Sequence, residues 1–427
     1  MRVRVGKKWK IALRFFKLER VLGRTMIGIL CLTGTLWAEI AVSQHSQTLL
    51  RESFSSTRSK GMAGTGLGLI QGGEAGFLNP ALIGGLPGQG STGLRGLSFP
   101  SLSVGSTDGS LDLVDKVAGS DPGNADLKGM IRAMGDNQGA SFRHQIYPNL
   151  VYGRLLFGLL QTNVADVQAY RLREPRQSIY LPESQGSSVD RVADVFLRSS
   201  LAGVFGFSVP MGRRATFGVS GRYGLRTTAL GTAERAPESE SQSTKAILDS
   251  AVVTQGYNVD AGIYVSLAPQ SGIGLSLVGR NLGEGIHEPL EKKSEATNES
   301  PTVTEQQELL RDPTDVDFGL SWAPPPRRGD FAFGMSLEAL GLLREDLALD
   351  QKIRLGGEFA LGQVVEDAFL VFRVGHDLRG PSFGVAIDAI LFRLEGAYYN
   401  STVHLPNGAS RDESSYLLRT SWDLTAP

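Results

Sequence analysis

From Gly256 to Ala268 the chain alternates: Tyr257, Val259, Ala261, Ile263, Val265 and Leu267 share one face, and Asn258, Asp260, Gly262, Tyr264 and Ser266 share the other. An extended chain sends successive side chains to opposite sides, so one face of this segment meets an apolar phase and the other a polar one. The same period of two recurs at Ile273, Leu275 and Leu277, at Val316, Phe318, Leu320 and Trp322, and at Phe331, Phe333, Met335 and Leu337. It continues through Phe383, Val385 and Ile387 and closes with Tyr416, Leu418, Thr420, Trp422 and Leu424.

A soluble β-sandwich alternates in the same way, so periodicity alone leaves two architectures open. Connection lengths separate them. Strands read at 196–209 and 213–227, 256–268 and 271–283, 314–324 and 329–341, and 351–362 and 367–376 are joined within each pair by short links. The links 228–255 and 284–313 between pairs are long and rich in Glu, Ser, Thr and Gln. Short turns on one side and long loops on the other are expected when one side faces the periplasm and the other the cell exterior. Further strands at 92–104, 146–156, 157–170, 380–389, 390–400 and 414–424 bring the number to fourteen, the even parity a closed barrel needs. The expected fold is therefore all-β, an antiparallel transmembrane β-barrel of about 14 strands. Residues 112–134 read as partly helical and belong to an extracellular loop. Phe205, Phe207, Trp322, Tyr398, Tyr399, Tyr416 and Trp422 fall near strand ends, where interfacial girdles place aromatics, although β-propensity alone also puts them in strands.

Composition agrees with this reading. Gly occurs 53 times in 427 residues, about 12% against a usual ~7%, which suits tight turns and crowded strands. The mean hydropathy of −0.08 and the lack of a long apolar run beyond residue 38 argue against a helical membrane protein. Residues 1–38 read as an export signal: a basic stretch from Arg2 to Arg24, an apolar run from Met26 to Trp37, then Ala38 as the cleavage residue. The rival is an uncleaved anchor helix, for which this run is shorter than the ~20 residues a span requires. Cys31, the only cysteine, lies in that run and is expected to leave with it, so no disulfide framework follows. Removing residues 1–38 takes nine of 43 basic and one of 44 acidic residues, leaving a net charge of −9. That acidic balance makes nucleic acid a poor partner.

Residues 39–91 form a glycine-rich N-terminal segment, followed by the barrel over 92–427. Within the segment, Gly61, Met62, Ala63 and Gly64 precede a Gly72-Gly73-Glu74 stretch and then Asn79-Pro80-Ala81. This pattern is similar to the start of FadL-like outer-membrane proteins, which include PorV-type and TraF-like relatives. Gly61, Met62, Gly64, Asn79, Pro80 and Ala81 carry the match. Ala63 stands where the family usually has glycine, and Gly72-Gly73-Glu74 where it often has an acidic stretch. Gly279-Arg280-Asn281-Leu282-Gly283, Arg354-Leu355-Gly356-Gly357-Glu358-Phe359 and Phe372-Arg373-Val374-Gly375 resemble late strands of such barrels. The resemblance implies a fourteen-stranded barrel whose N-terminal segment enters the lumen as a plug or gate, used by several relatives to move hydrophobic molecules. Glycine-rich backbone suits such a path because no Cβ obstructs it. A turn-rich periplasmic linker is the alternative.

Motifs for chemistry are lacking. Gly64, Gly66 and Gly68 are followed by Leu69 and Gln71 where a dinucleotide fingerprint needs glycine, and no P-loop lysine follows. His45, His144, His287, His376 and His404 are scattered without metal-ligand spacing. Ser220 lies in Gly-Val-Ser-Gly-Arg rather than a hydrolase elbow and reads as a strand serine. No catalytic, metal or cofactor site is expected, and the chain is not expected to be an enzyme. Arg222, Arg226, Arg280, Arg354, Arg373, Arg393 and Arg419, with Asp260, Asp317, Glu338, Glu358, Asp388, Glu395 and Asp423, fall in strand-like segments. Lipid-facing charge near the midplane costs ~2–4 kcal/mol for Arg or Lys, so these groups should face the lumen or the interfaces and pair there. The first functional expectation is passive transport of small hydrophobic compounds by a barrel in contact with outer-membrane lipid. The second is a non-transporting barrel that docks a secretion or conjugation partner through 228–255 and 284–313, and the third a soluble periplasmic β-protein.

Overall fold

A computed structural model describes residues 54, 56–87, 94–108, 131, 134–177, 188–235, 240–249, 251–282, 287–289, 314–325, 331–344, 349–364, 367–377, 380–389, 392–405 and 407–424. The expected signal at 1–38, most of the helical reading at 112–134, and loop 284–313 apart from 287–289 lie outside the described residues.

Among the described residues, sixteen strands form one sheet. They are β1 (Leu94–Thr107), β2 (Gly139–Ile146), β3 (Asn149–Tyr152), β4 (Leu155–Gln177), β5 (Ser188–Pro210), β6 (Ala215–Glu234), β7 (Val252–Ala268) and β8 (Ile273–Arg280). They continue with β9 (His287–Pro289), β10 (Asp315–Trp322), β11 (Ala332–Ala339), β12 (Ile353–Val364), β13 (Asp367–Asp377), β14 (Gly380–Ala389), β15 (Phe392–His404) and β16 (Ser410–Leu424). Each strand pairs antiparallel with its neighbour, and β16 pairs back onto β1, from Leu97 opposite Leu424 to Thr107 opposite Ser415. The short β9 hangs off β7, and β2 and β3 share one place between β1 and β4. The ring therefore has fourteen positions, as the sequence pattern predicts.

The break between β2 and β3 falls at Tyr147-Pro148, where proline has no N–H to give to the ladder. The Tyr147 N–H instead donates to the Ser101 carbonyl at 2.8 Å, and the Leu159 N–H donates to the Pro148 carbonyl at 3.0 Å. The sequence reading set this strand at 146–156; it starts earlier, at Gly139, and ends at Tyr152.

Alternation sorts the two faces of the ring. Leu159, Leu201, Phe205, Tyr223, Leu225, Leu320, Phe372 and Val385 are all exposed large side chains, while Asp317, Ser321, Ser336, Glu338, Arg373 and Glu395 on the opposite face are buried. An apolar exterior around a polar interior is the arrangement of a membrane-spanning barrel. Trp322, Trp422, Phe205 and Tyr416 are exposed on the outer surface, whereas Tyr399 turns inward, with the Lys60 ammonium 4.8 Å from its ring centre.

β4, β5 and β6 run further than the sequence pattern suggested, and this corrects the reading of 228–255 as one polar loop. The strand continues to Glu234, and Glu240–Asp249 is a helix. Ala169, Ala193, Val195, Ala229 and Ala233 extend the alternation, and Ile131, Met134 and Ile247 cover them in a closed apolar cluster. Small residues made this stretch look less strand-like than the larger ones below it. Among the described residues, the bends at 153–154, 211–214 and 269–272 are short.

Placing a charge on the lipid face tests this inside-out order. Phe372→Arg, in the middle of β13, is expected to lower stability by about 2–4 kcal/mol in urea unfolding from lipid vesicles.

Candidate functional site: the inner segment

Residues 56–87 form no strand. They fold as short turns of helix, at Thr57–Lys60, Gly72–Glu74, Ala75–Leu78 and Pro80–Leu82. Their partners are inward-facing residues from around the ring, so the segment lies inside it. Ser56 caps the first turn, accepting from the Ser59 N–H at 3.1 Å. Asn79 caps the last, its Oδ1 accepting from the Ala81 N–H at 3.1 Å, and proline at the first position suits a helix start.

The six residues singled out from the sequence divide into two groups. Gly61 packs on Gly384 of β14, where an added Cβ would stand 3.0 Å from the Gly384 Cα. Met62 is fully buried, and its backbone crosses Gly375 of β13 so closely that a Cβ there would collide. Gly64, at φ +88°, faces Arg354 of β12. Asn79 lies against Gly262 of β7, and Pro80 and Ala81 lie against Gly218 of β6. A hydrogen bond from Asn79 Nδ2 to the Leu67 carbonyl at 2.9 Å, with Leu78 packed on Met62, Leu69 and Ile70, ties the two stretches together. Ala63 has φ +57°, a left-handed conformation that glycine adopts more readily, which accounts for the glycine usual there in the resemblance.

The wall residues that receive the segment were not singled out from the sequence. Gly218, Gly262, Gly375 and Gly384 supply smooth backbone at the contacts. Their signal was available: each falls on the inward parity of its strand, where a polar side chain is otherwise expected. Charged partners complete the fit. Arg58 forms a two-pronged ion pair with Glu358, at 2.8 and 2.5 Å. Glu358 also accepts from Arg373 at 3.0 Å, and Arg373 reaches Glu395 at 3.0 Å, passing over β14 where Gly384 has no side chain. Glu395 pairs with Arg419 at 3.3 Å, Arg419 pairs with Glu74, and Ser56 donates to Glu74 at 2.5 Å. The chain of alternating charges thus begins and ends on the inner segment. Gly66 and Leu67 donate their N–H groups to Glu338 at 2.7 and 2.8 Å.

On the other side much of the contact is apolar. Ala75, Phe77, Ala81, Leu82 and Ile83 pack against Tyr147, Val151, Leu156, Leu160, Val204 and Tyr264. The Phe54 and Phe77 rings stack at 4.1 Å, and Tyr147 meets Phe77 edge-on at 5.0 Å. Tyr147 donates its hydroxyl to the Gly73 carbonyl at 3.2 Å. Ser220, read from the sequence as a strand serine, donates to the Gly76 carbonyl. Several of the strand charges pair as expected: Arg222 with Asp260, Arg280 with Asp317 and Arg393 with Asp388. Among the described residues no group of three His, Cys, Asp or Glu side chains is gathered as a metal site requires.

Neither a protein-family model nor a curated protein matches the sequence. Solved structures do. The Ralstonia pickettii toluene transporter TbuX aligns at TM-score 0.48 and 13% identity, over 88% of this chain and 99% of its own. The Pseudomonas putida toluene transporter TodX aligns at 0.41 and 14%, over 86% and 97%. Outer membrane phospholipase A from Escherichia coli aligns at 0.25 and 10%, over 76% and 89%. At these values the similarity assigns neither substrate nor activity, and the barrel stands on its own strand ring. A ring of fourteen is also the fold that the FadL-like resemblance implies.

Filling a contact glycine tests the fit. Gly375→Val drives a side chain into the Met62 backbone and is expected to cost about 1–3 kcal/mol, exposing Arg58 and Lys60 to trypsin in folded barrels. Gly221→Val, whose Cβ would meet only the Asn258 carbonyl oxygen at 3.9 Å, should leave them protected.

Proposed function

We propose that this barrel sits in a bacterial outer membrane, surrounded by its lipid, and passes small hydrophobic compounds passively, with residues 58–86 as the gate. The observation that carries the reading is the occupant of the ring. A wall of fourteen strands is wide enough to leave an aqueous channel unless something fills it. The filler here is a stretch of the chain's own backbone, held without covalent bonds and lined on one side by Phe54, Phe77 and Tyr147. Such a filler excludes water and ions while its apolar contacts remain exchangeable with an apolar solute of similar size. Diffusion down a gradient accounts for movement without an energy source. Gly61, Met62, Gly64, Asn79, Pro80 and Ala81 act in this reading as the residues that seat the gate.

Deleting residues 58–86 should raise the permeability of vesicles containing the barrel to both polar and apolar probes, measured by vesicle swelling and probe uptake. Unchanged uptake of both would overturn the gate.

A further inference from the structure

The two sides of the inner segment are held by different forces, and they cannot part at equal cost. On the β11–β16 side, moving residues 56–74 would remove Arg58 from Glu358, Glu74 from Arg419, and the Gly66 and Leu67 N–H groups from Glu338. Glu338 and Glu395 are each 1% exposed and Arg373 likewise, so water does not stand ready to replace the lost partners. Breaking a buried charge pair is strongly unfavourable because a desolvated charge remains behind. On the β3–β7 side, the wall meets the segment with neutral hydroxyls: Tyr147 and Ser220 donate to the Gly73 and Gly76 carbonyls, and Ser208 accepts from the Gly84 N–H. Arg222, which lies 5.5 Å from the Phe77 ring, keeps Asp260 at 3.2 Å, and Arg280, which also donates to the Phe77 and Leu78 carbonyls, keeps Asp317. Opening this side therefore leaves both cations paired. Ala75, Phe77, Ala81, Leu82 and Ile83 make apolar contacts there, and an apolar solute restores these as it enters.

We propose that the segment works as a half-fixed gate: residues 56–74 stay bound to β11–β16, and an apolar solute crosses along the seam between residues 75–86 and the inner face of β3–β7. The inference rests on the transport reading above and adds the side on which the gate opens. Asn79 is the joint between the halves, because its bond to the Leu67 carbonyl links the moving stretch to the fixed one.

A disulfide and a protease probe test the two sides. Cβ built at Gly84 stands 2.9 Å from Ser208 Oγ, close enough to bridge. The double variant Gly84→Cys with Ser208→Cys is reconstituted in vesicles, and toluene uptake is measured before and after reduction. The 84–208 bridge should abolish uptake and reduction should restore it, and in the unmodified barrel Arg58 and Lys60 should stay protected from trypsin while toluene is taken up. Full uptake with the 84–208 bridge intact, or cleavage at Arg58 or Lys60 during uptake, overturns the seam. Should a cysteine pair prevent folding, Phe77→Ala serves instead: faster toluene uptake with sucrose still excluded supports the seam, and unchanged toluene uptake overturns it. The unmodified barrel separates this from the parent reading, since a barrel that takes up no toluene in any form removes passive transport itself.

Discussion

A chain that crosses hydrocarbon must satisfy every backbone N–H and C=O group within itself, because no water is present to do so. For strands the solution is closure, and here closure depends on the β1–β16 ladder, which leaves the ring no free edge. Much else follows from that one pairing. An antiparallel closed ring with both ends on one side has even parity, and the lipid outside dictates the apolar half of the alternation. The interruption at Tyr147-Pro148 is tolerated because backbone bonds to Ser101 and from Leu159 take up the groups the proline disturbs. The same break brings the Tyr147 ring against Phe54 and Phe77.

Closure also creates the interior that the inner segment occupies. Side chains alone fill a ring of about eight strands, and a wider one needs an additional filler or holds water. A filler made of backbone brings its own polar groups, which the wall must match. The wall does so with glycines where backbones approach and with charged or hydroxyl side chains where carbonyls and amides remain. Gly384 serves twice, admitting Gly61 and leaving open the path by which Arg373 reaches Glu395.

Much of the ring was legible in the sequence because period-two alternation has a single cause, an apolar phase on one side. Tyr257 to Leu267 and Val316 to Trp322 were readable for that reason. The upper parts of β4–β6 were less so: Ala169, Ala193 and Ala229 are too small to mark a face, and their cover comes from residues distant in sequence, Ile131 and Ile247. The inner segment was legible only as a pattern of glycines and Asn-Pro-Ala. Its seats at Gly218, Gly262 and Gly375 depend on strand register, which sets the height of a residue in the wall and which alternation does not encode. The charge chain was half legible. That strand charges would face inward follows from the midplane penalty, but the partnership of Arg58 with Glu358, three hundred positions apart, emerges only once the ring closes.

The combination of buried charge with an apolar seam has a physical logic. A filler held by hydrophobic contact alone would have many near-equal positions in the ring, since such contact is non-directional. Ion pairs and bidentate bonds fix one position, and buried polar groups contribute to structural specificity in this way in several systems. If both sides were charged, the segment would be fixed but could admit nothing without stranding a charge. If both were apolar, it would yield everywhere and define no route. Here the polar half sets the position, through Arg58 on Glu358 and the Gly66 and Leu67 amides on Glu338, and the apolar half adds burial against Tyr147, Val151 and Leu156 without a second set of buried charges.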